Sequence, residues 1–142
     1  MSGVSSANRL SLASPVGKSV LIIDDSLDIL DLQRTVLELG GFEVFTARNG
    51  AEAFKTLSKI KMPNLILLDI QMKGVSGPEF LRKLEKKMPQ IVKSVPIVFL
   101  SGVDEVPESK AAGFIRKPTD VVRFLMAVRN YIEMGRHAPY SS

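Results

Sequence analysis

Three aspartates follow short apolar runs: Val20 to Ile23 leads into Asp24 and Asp25, and Leu65 to Leu68, within NLILLDIQ, leads into Asp69. Runs of this kind read as buried strands, so each delivers its carboxylate to a strand end. Carboxylates on neighbouring strand ends lie roughly 5 Å apart, the spacing of paired strands. Like charges at that range raise each other's pKa and destabilise an empty site unless a divalent cation or a proton relieves them. With oxygen donors only, no cysteine and no histidine nearby, Mg²⁺ suits the three acids better than zinc. Mg²⁺ keeps several waters and commonly takes a phosphate oxygen, which makes a phosphoryl group the expected second ligand. The plainer alternative is that the acids only cap helices and loops.

Two further residues fall on the same rim. Ser101 closes the apolar run Val95 to Leu100, and Lys117 closes Gly113 to Arg116. Alone, Ser101 is an ordinary turn residue and Lys117 an ordinary solvated one. Together they supply a hydroxyl donor and a fixed positive charge, the equipment of phosphoryl transfer.

The elements that must position these groups follow from periodicity. Ser19 to Asp24 is strand one, and Ser26 caps a helix carrying Leu27, Leu30, Val36, Leu37 and Leu39 until Gly40-Gly41 ends it. Phe42 to Thr46 is strand two, Asn49 caps a helix from Gly50 to about Lys59, and Met62-Pro63 leads into strand three. After the loop QMKGVSG, Pro78 stands in the first turn of a helix reaching about Met88. Val95 to Ser101 is strand four, Gly113 to Lys117 strand five, and Thr119 or Asp120 caps a last helix bearing Val122, Leu125, Met126, Val128 and Ile132. Strands alternating with helices imply an α/β fold: a doubly wound, five-stranded parallel sheet of flavodoxin-like type, strand order 2-1-3-4-5. In that order the chain reverses direction between strands one and three, where ligands bind at the carboxyl ends.

At 142 residues and 45% hydrophobic content, the chain fits one domain. We expect it to occupy residues 18–134, with a flexible tail at 1–17 rich in Ser and Ala and a frayed tail at 135–142 that contains His137, the only histidine. No run has signal-peptide or membrane-spanning length, so a cytoplasmic location without membrane contact is expected. The net charge of +4 is modest. Its densest part, Arg82, Lys83, Lys86 and Lys87 around Glu85, has no interleaved aromatics and reads as a solvated helix face, with no direct nucleic-acid contact expected. Gly17-Lys18-Ser19 suggests a phosphate loop, but Leu12 stands where the first glycine belongs and the strand follows the motif instead of preceding it.

On Asp24-Asp25 after VLII, Asp69 after LILL, Met72 to Gly77, Ser101 after VFL and GFIRKP at 113–118, the chain resembles the response-regulator receiver domains of two-component signalling over about residues 18–134. The resemblance implies that Asp69 takes a phosphoryl group from a phosphohistidine on a histidine kinase or histidine phosphotransfer protein. It further implies that Asp24, Asp25, Asp69 and the backbone carbonyl of Gln71 hold Mg²⁺. Ser101 would receive one phosphoryl oxygen and Lys117 pair with another, while Phe114 would occupy the aromatic switch position. Phe114 reads equally well as a core residue of strand five. Lys117-Pro118 would be a cis peptide by the same resemblance.

The sequence departs from the family pattern in the crossover. Only eleven residues separate Ser101 from Gly113, with Pro107 among them, close to the minimum for a helical connection. A loop over Gly102 to Val106 and one or two helical turns over Pro107 to Ala112 are expected, a shortened fourth helix that would alter the usual output surface. Lys73 replaces the proline usual after the phosphoacceptor, an exchange expected to cost rigidity but no chemistry. Gln71 and Val103 stand where the resemblance places the approach of hydrolytic water, and apolar Val103 suggests slow self-dephosphorylation. The expected function is a stand-alone, phosphorylation-controlled binding module, monomeric or weakly dimeric, acting on a downstream protein. The alternatives are a degenerate receiver that binds constitutively, disfavoured by the intact site set, and a Mg²⁺-dependent phosphohydrolase, whose acid-x-acid signature is missing after strand one.

Overall fold

Strands with no polar alternation need cover on both sides, and the chain supplies it with helices. The structure, a computed structural model, describes residues 17–102, 111–117 and 120–135. Five strands, β1 (Ser19–Ile23), β2 (Glu43–Ala47), β3 (Leu65–Asp69), β4 (Ile97–Ser101) and β5 (Gly113–Arg116), pair in parallel in the order β2-β1-β3-β4-β5. The helices are α1 (Leu27–Leu39), α2 (Gly50–Leu57), α3 (Gly77–Lys87), α4 (Pro89–Ser94) and α5 (Val121–Met134).

Successive strand residues divide between two cores. Leu21, Ile23, Ile66, Leu68 and Phe99 pack with Ala53 and Leu57 of α2 and with Phe80, Leu81 and Leu84 of α3. Val20, Ile22, Leu65, Leu67 and Val98 pack with Leu30 and Leu37 of α1 and with Phe124 and Val128 of α5. Each fully buried aliphatic or aromatic side chain contributes about 1.5–3 kcal/mol, so both faces hold the sheet in place.

Local signals set most boundaries. Ser26, Asn49 and Asp120 accept from the backbone N–H three residues on, and Ser76 with Glu79 forms a reciprocal capping box ahead of Pro78. No sequence signal sets off residues 89–94 between the helix ending near Met88 and the strand from Val95, whereas the structure forms α4 there. Pro89 cannot continue the helix before it but is pre-set for a first helical turn, and burial of Ile91 and Val92 holds that turn against the sheet. Gly77 is fixed by space, because a Cβ there would stand 2.6 Å from the Asp69 carbonyl oxygen.

The expected short helix over Pro107 to Ala112 lies almost wholly outside the described residues, as do Val103, the Lys117-Pro118 peptide, Thr119 and His137. Among the described residues, no helix is long and apolar enough to cross a membrane.

Candidate functional site

The β1–β3 register pairs Ile23 with Leu68, so the next residue on each strand, Asp24 and Asp69, meets at the carboxyl rim. Asp24 is 1% and Asp69 7% exposed, and Asp25 is the more open member of the cluster. One carboxylate oxygen from each of the three lies within 4.8 Å of the others.

Every carboxylate is tethered. Asp24 Oδ1 accepts the Ser26 N–H at 3.0 Å, and its Oδ2 accepts from Lys117 Nζ at 2.9 Å. Lys117 Nζ also lies 3.3 Å from Asp69 Oδ1, which accepts the Gln71 N–H at 3.3 Å. A single ammonium thus bridges the two buried acids. Burial raises the Asp69 pKa above its ordinary value and the neighbouring Asp24 charge adds to the rise, while Lys117 and the Gln71 N–H oppose it.

Lys117 reaches this position from the end of β5, where its own N–H donates to the Ser101 carbonyl at 2.6 Å. Ser101, 2% exposed, closes β4 beside Asp69 through the register that pairs Asp69 with Leu100. All five rim residues anticipated from the sequence therefore arrive at one end of the sheet. Phe114 stands one strand further out, half-buried, packed on the α2–α3 core and registered with Phe99. Its carbonyl accepts from the Tyr131 hydroxyl at 3.4 Å, and Tyr131 lies so close over Gly113 that a Cβ there would collide with its ring.

Two of these contacts escaped the sequence reading. Tyr131 carried no chemical signature beyond its place on the last helix. The Lys73 N–H donates to Asp25 Oδ2 at 2.8 Å, a bond that a proline at this position could not make. The exchange expected to be chemically neutral therefore ties the third acid to the following loop. No residue-type signal marks a contact made by backbone.

The donor set and its convergence fit a small, hard divalent cation: three oxygens on two adjacent strand ends, with room on the open side at Asp25 for water. Comparison with known proteins then decides the family. The model of the response regulator receiver domain matches residues 20–129. The chain belongs to the response regulator receiver family. It is 31% identical over 121 residues to the polar-differentiation response regulator DivK of Brucella anthropi, a match covering 81% of this chain and 96% of that protein. Among solved structures, the Vibrio cholerae chemotaxis protein CheY4 superposes with a TM-score of 0.71 at 29% identity, covering 80% of this chain and 97% of that one. The receiver domain of NtrX from Brucella abortus gives 0.68 at 28% identity, covering 80% and 98%. Receiver domains are regulatory phosphoacceptors of two-component signalling; they bind Mg²⁺ at an acidic cluster and interact with histidine kinases and downstream targets.

Proposed function

We propose that residues 18–134 form a receiver that accepts a phosphoryl group on Asp69 from the phosphohistidine of a histidine kinase or histidine phosphotransfer protein. The observation that carries this reading is the convergence of Asp24, Asp25 and Asp69 with Lys117 bridging the two buried members. An Asp69 carboxylate oxygen attacks phosphorus, the new O–P bond forming as the N–P bond of the donor breaks and imidazole leaves. Asp24, Asp25, Asp69 and the Gln71 carbonyl would hold Mg²⁺, which when bound neutralises charge on the transferring group. Lys117 pairs with one phosphoryl oxygen and Ser101 donates its hydroxyl to another.

Phe114 is the residue we assign to the readout. It sits between the core and the surface, held by backbone contacts, and its ring has no hydroxyl, so any response to Ser101 movement acts through packing. The hollow of about 270 Å³ beside Lys117, lined by Ile29, Leu32, Val36, Val121 and Phe124, supports docking of the donor protein next to the acceptor. We place the protein in the cytoplasm, as a monomer or weak dimer with a downstream protein target, as the family implies.

The test is direct. With Mg²⁺ and acetyl phosphate, intact mass should show one added phosphoryl group on wild type and none on Asp69→Asn. Equal labelling of both would overturn the assignment of Asp69, no labelling of wild type would favour a constitutive binding domain, and turnover of unrelated phosphoesters would favour a hydrolase.

A further inference from the structure

The basic run on α3 divides once the helix is placed. Lys83 and Lys87, four residues apart and so on one face, join Lys73 at the rim of a second hollow, about 450 Å³, between α2, α3 and the loop 71–76. Its floor is apolar: Phe54, Met72, Val75 and the buried ring of Phe80. The two aromatic rings pack 5.1 Å apart, and Lys87 Nζ lies 4.9 Å above the centre of Phe54.

Three acids nearby are already committed, Asp25 to the Lys73 N–H. Glu52 pairs with Arg48 at 2.9 Å, and Glu79 accepts the Ser76 N–H within the capping box. The rim is therefore cationic around an apolar floor, with the positive end of α2 at Asn49 and Gly50 adding to the same field.

We propose that this cleft docks an acidic, extended segment of a partner protein that inserts one apolar side chain between Phe54 and Val75. Spacing favours this occupant: lysines at i and i+4 stand about 5–6 Å apart, and alternate carboxylates of an extended chain repeat at roughly 6.6 Å. A single small anion would engage only part of a rim shared between a loop and a helix. A nucleic-acid strand is disfavoured because Lys87 covers the Phe54 face and Phe80 is fully buried, leaving no open ring on which a base could stack. Docking here also reaches the acid cluster, since the loop that lines the cleft donates the Lys73 N–H to Asp25. That link alone rests on the phosphoacceptor reading.

The test uses the full chain, labelled with ¹⁵N and without phosphodonor, titrated with a short peptide alternating Glu and Asp around a central Phe. Saturable amide shifts should concentrate at 49–54, 72–75 and 83–87. Replacing the central Phe by Ser, or using Lys83→Glu/Lys87→Glu protein, should weaken binding about tenfold or more, with thermal midpoints near wild type. Lys83→Gln serves as the milder variant should the double exchange disturb the helix. Equal affinity for the Ser peptide, shifts spread over basic residues elsewhere, or no saturable shift at millimolar peptide would overturn the proposal. So would tighter binding of oligothymidylate or of phenylacetate to the same residues.

Discussion

The two hollows flank one acid cluster, and each shares a lysine with it in a different way. In the α1–α5 hollow Lys117 reaches the acids with its side chain, bridging Asp24 and Asp69. In the α2–α3 cleft Lys73 reaches Asp25 with its backbone, while its side chain belongs to the cleft rim. The first link depends on residue type and the second on the path of the chain. One hollow is apolar and opens beside the two buried acids; the other has a cationic rim and touches only the most open acid.

The strongest test of that contrast is Lys117→Met. Removing the ammonium leaves two buried carboxylates facing each other and takes away a group that holds the Asp69 pKa down. Without divalent cation, stability measured by urea unfolding should fall by about 1–3 kcal/mol, less than for a fully buried pair because Lys117 is partly exposed. Phosphorylation by acetyl phosphate should also be lost or severely slowed. An unchanged unfolding midpoint would mean the bridge does not hold the acids.

A smaller effect is expected in the apolar hollow. Leu32 is 61% exposed yet lines the wall beside Ile29 and Val36. Leu32→Asp should lower the rate of transfer from a phosphohistidine protein relative to acetyl phosphate by about tenfold, equal to about 1.4 kcal/mol. Equal ratios in both proteins would separate this hollow from donor docking.

The smallest change should come from Lys73→Ala. Its N–H remains, so Mg²⁺ affinity measured by calorimetry should stay within about twofold of wild type, while the acidic peptide should bind more weakly to the cleft. Lys73→Pro removes the donor itself and should weaken Mg²⁺ binding more than Lys73→Ala does. The reverse order would show that the side chain, not the backbone, supports the cluster.

This division also explains what could be read from the sequence. Asp24, Asp25, Asp69, Ser101 and Lys117 announce themselves because each ends an apolar run, and the alternation of strands and helices brings those ends to one rim. Helices α1, α3 and α5 were marked by Ser26, Pro78 and Asp120. The short α4 was not, since six residues that begin on a proline are too few to show a helical period. Neither the Lys73 N–H nor the position of Tyr131 over Gly113 could be anticipated, because both depend on tertiary distance. The lysines on α3 were visible as a charged face, but their division between solvent and cleft depends on the aromatic pair across from them.

The bridge at Lys117 also sets a valence. Three carboxylates, when ionised, against one ammonium leave two negative charges on a rim that is open at Asp25, the complement of one dication. Loading such an ion brings the rim to neutrality, and a phosphoryl group on Asp69, carrying about 1.5 to 2 negative charges in place of that carboxylate's one, then returns it to net negative by about 0.5 to 1 charge. On the reading proposed above, the rim passes through three electrostatic states with no change of fold. A surface that senses its potential can distinguish the phosphorylated state from the neutral loaded one before any side chain has moved.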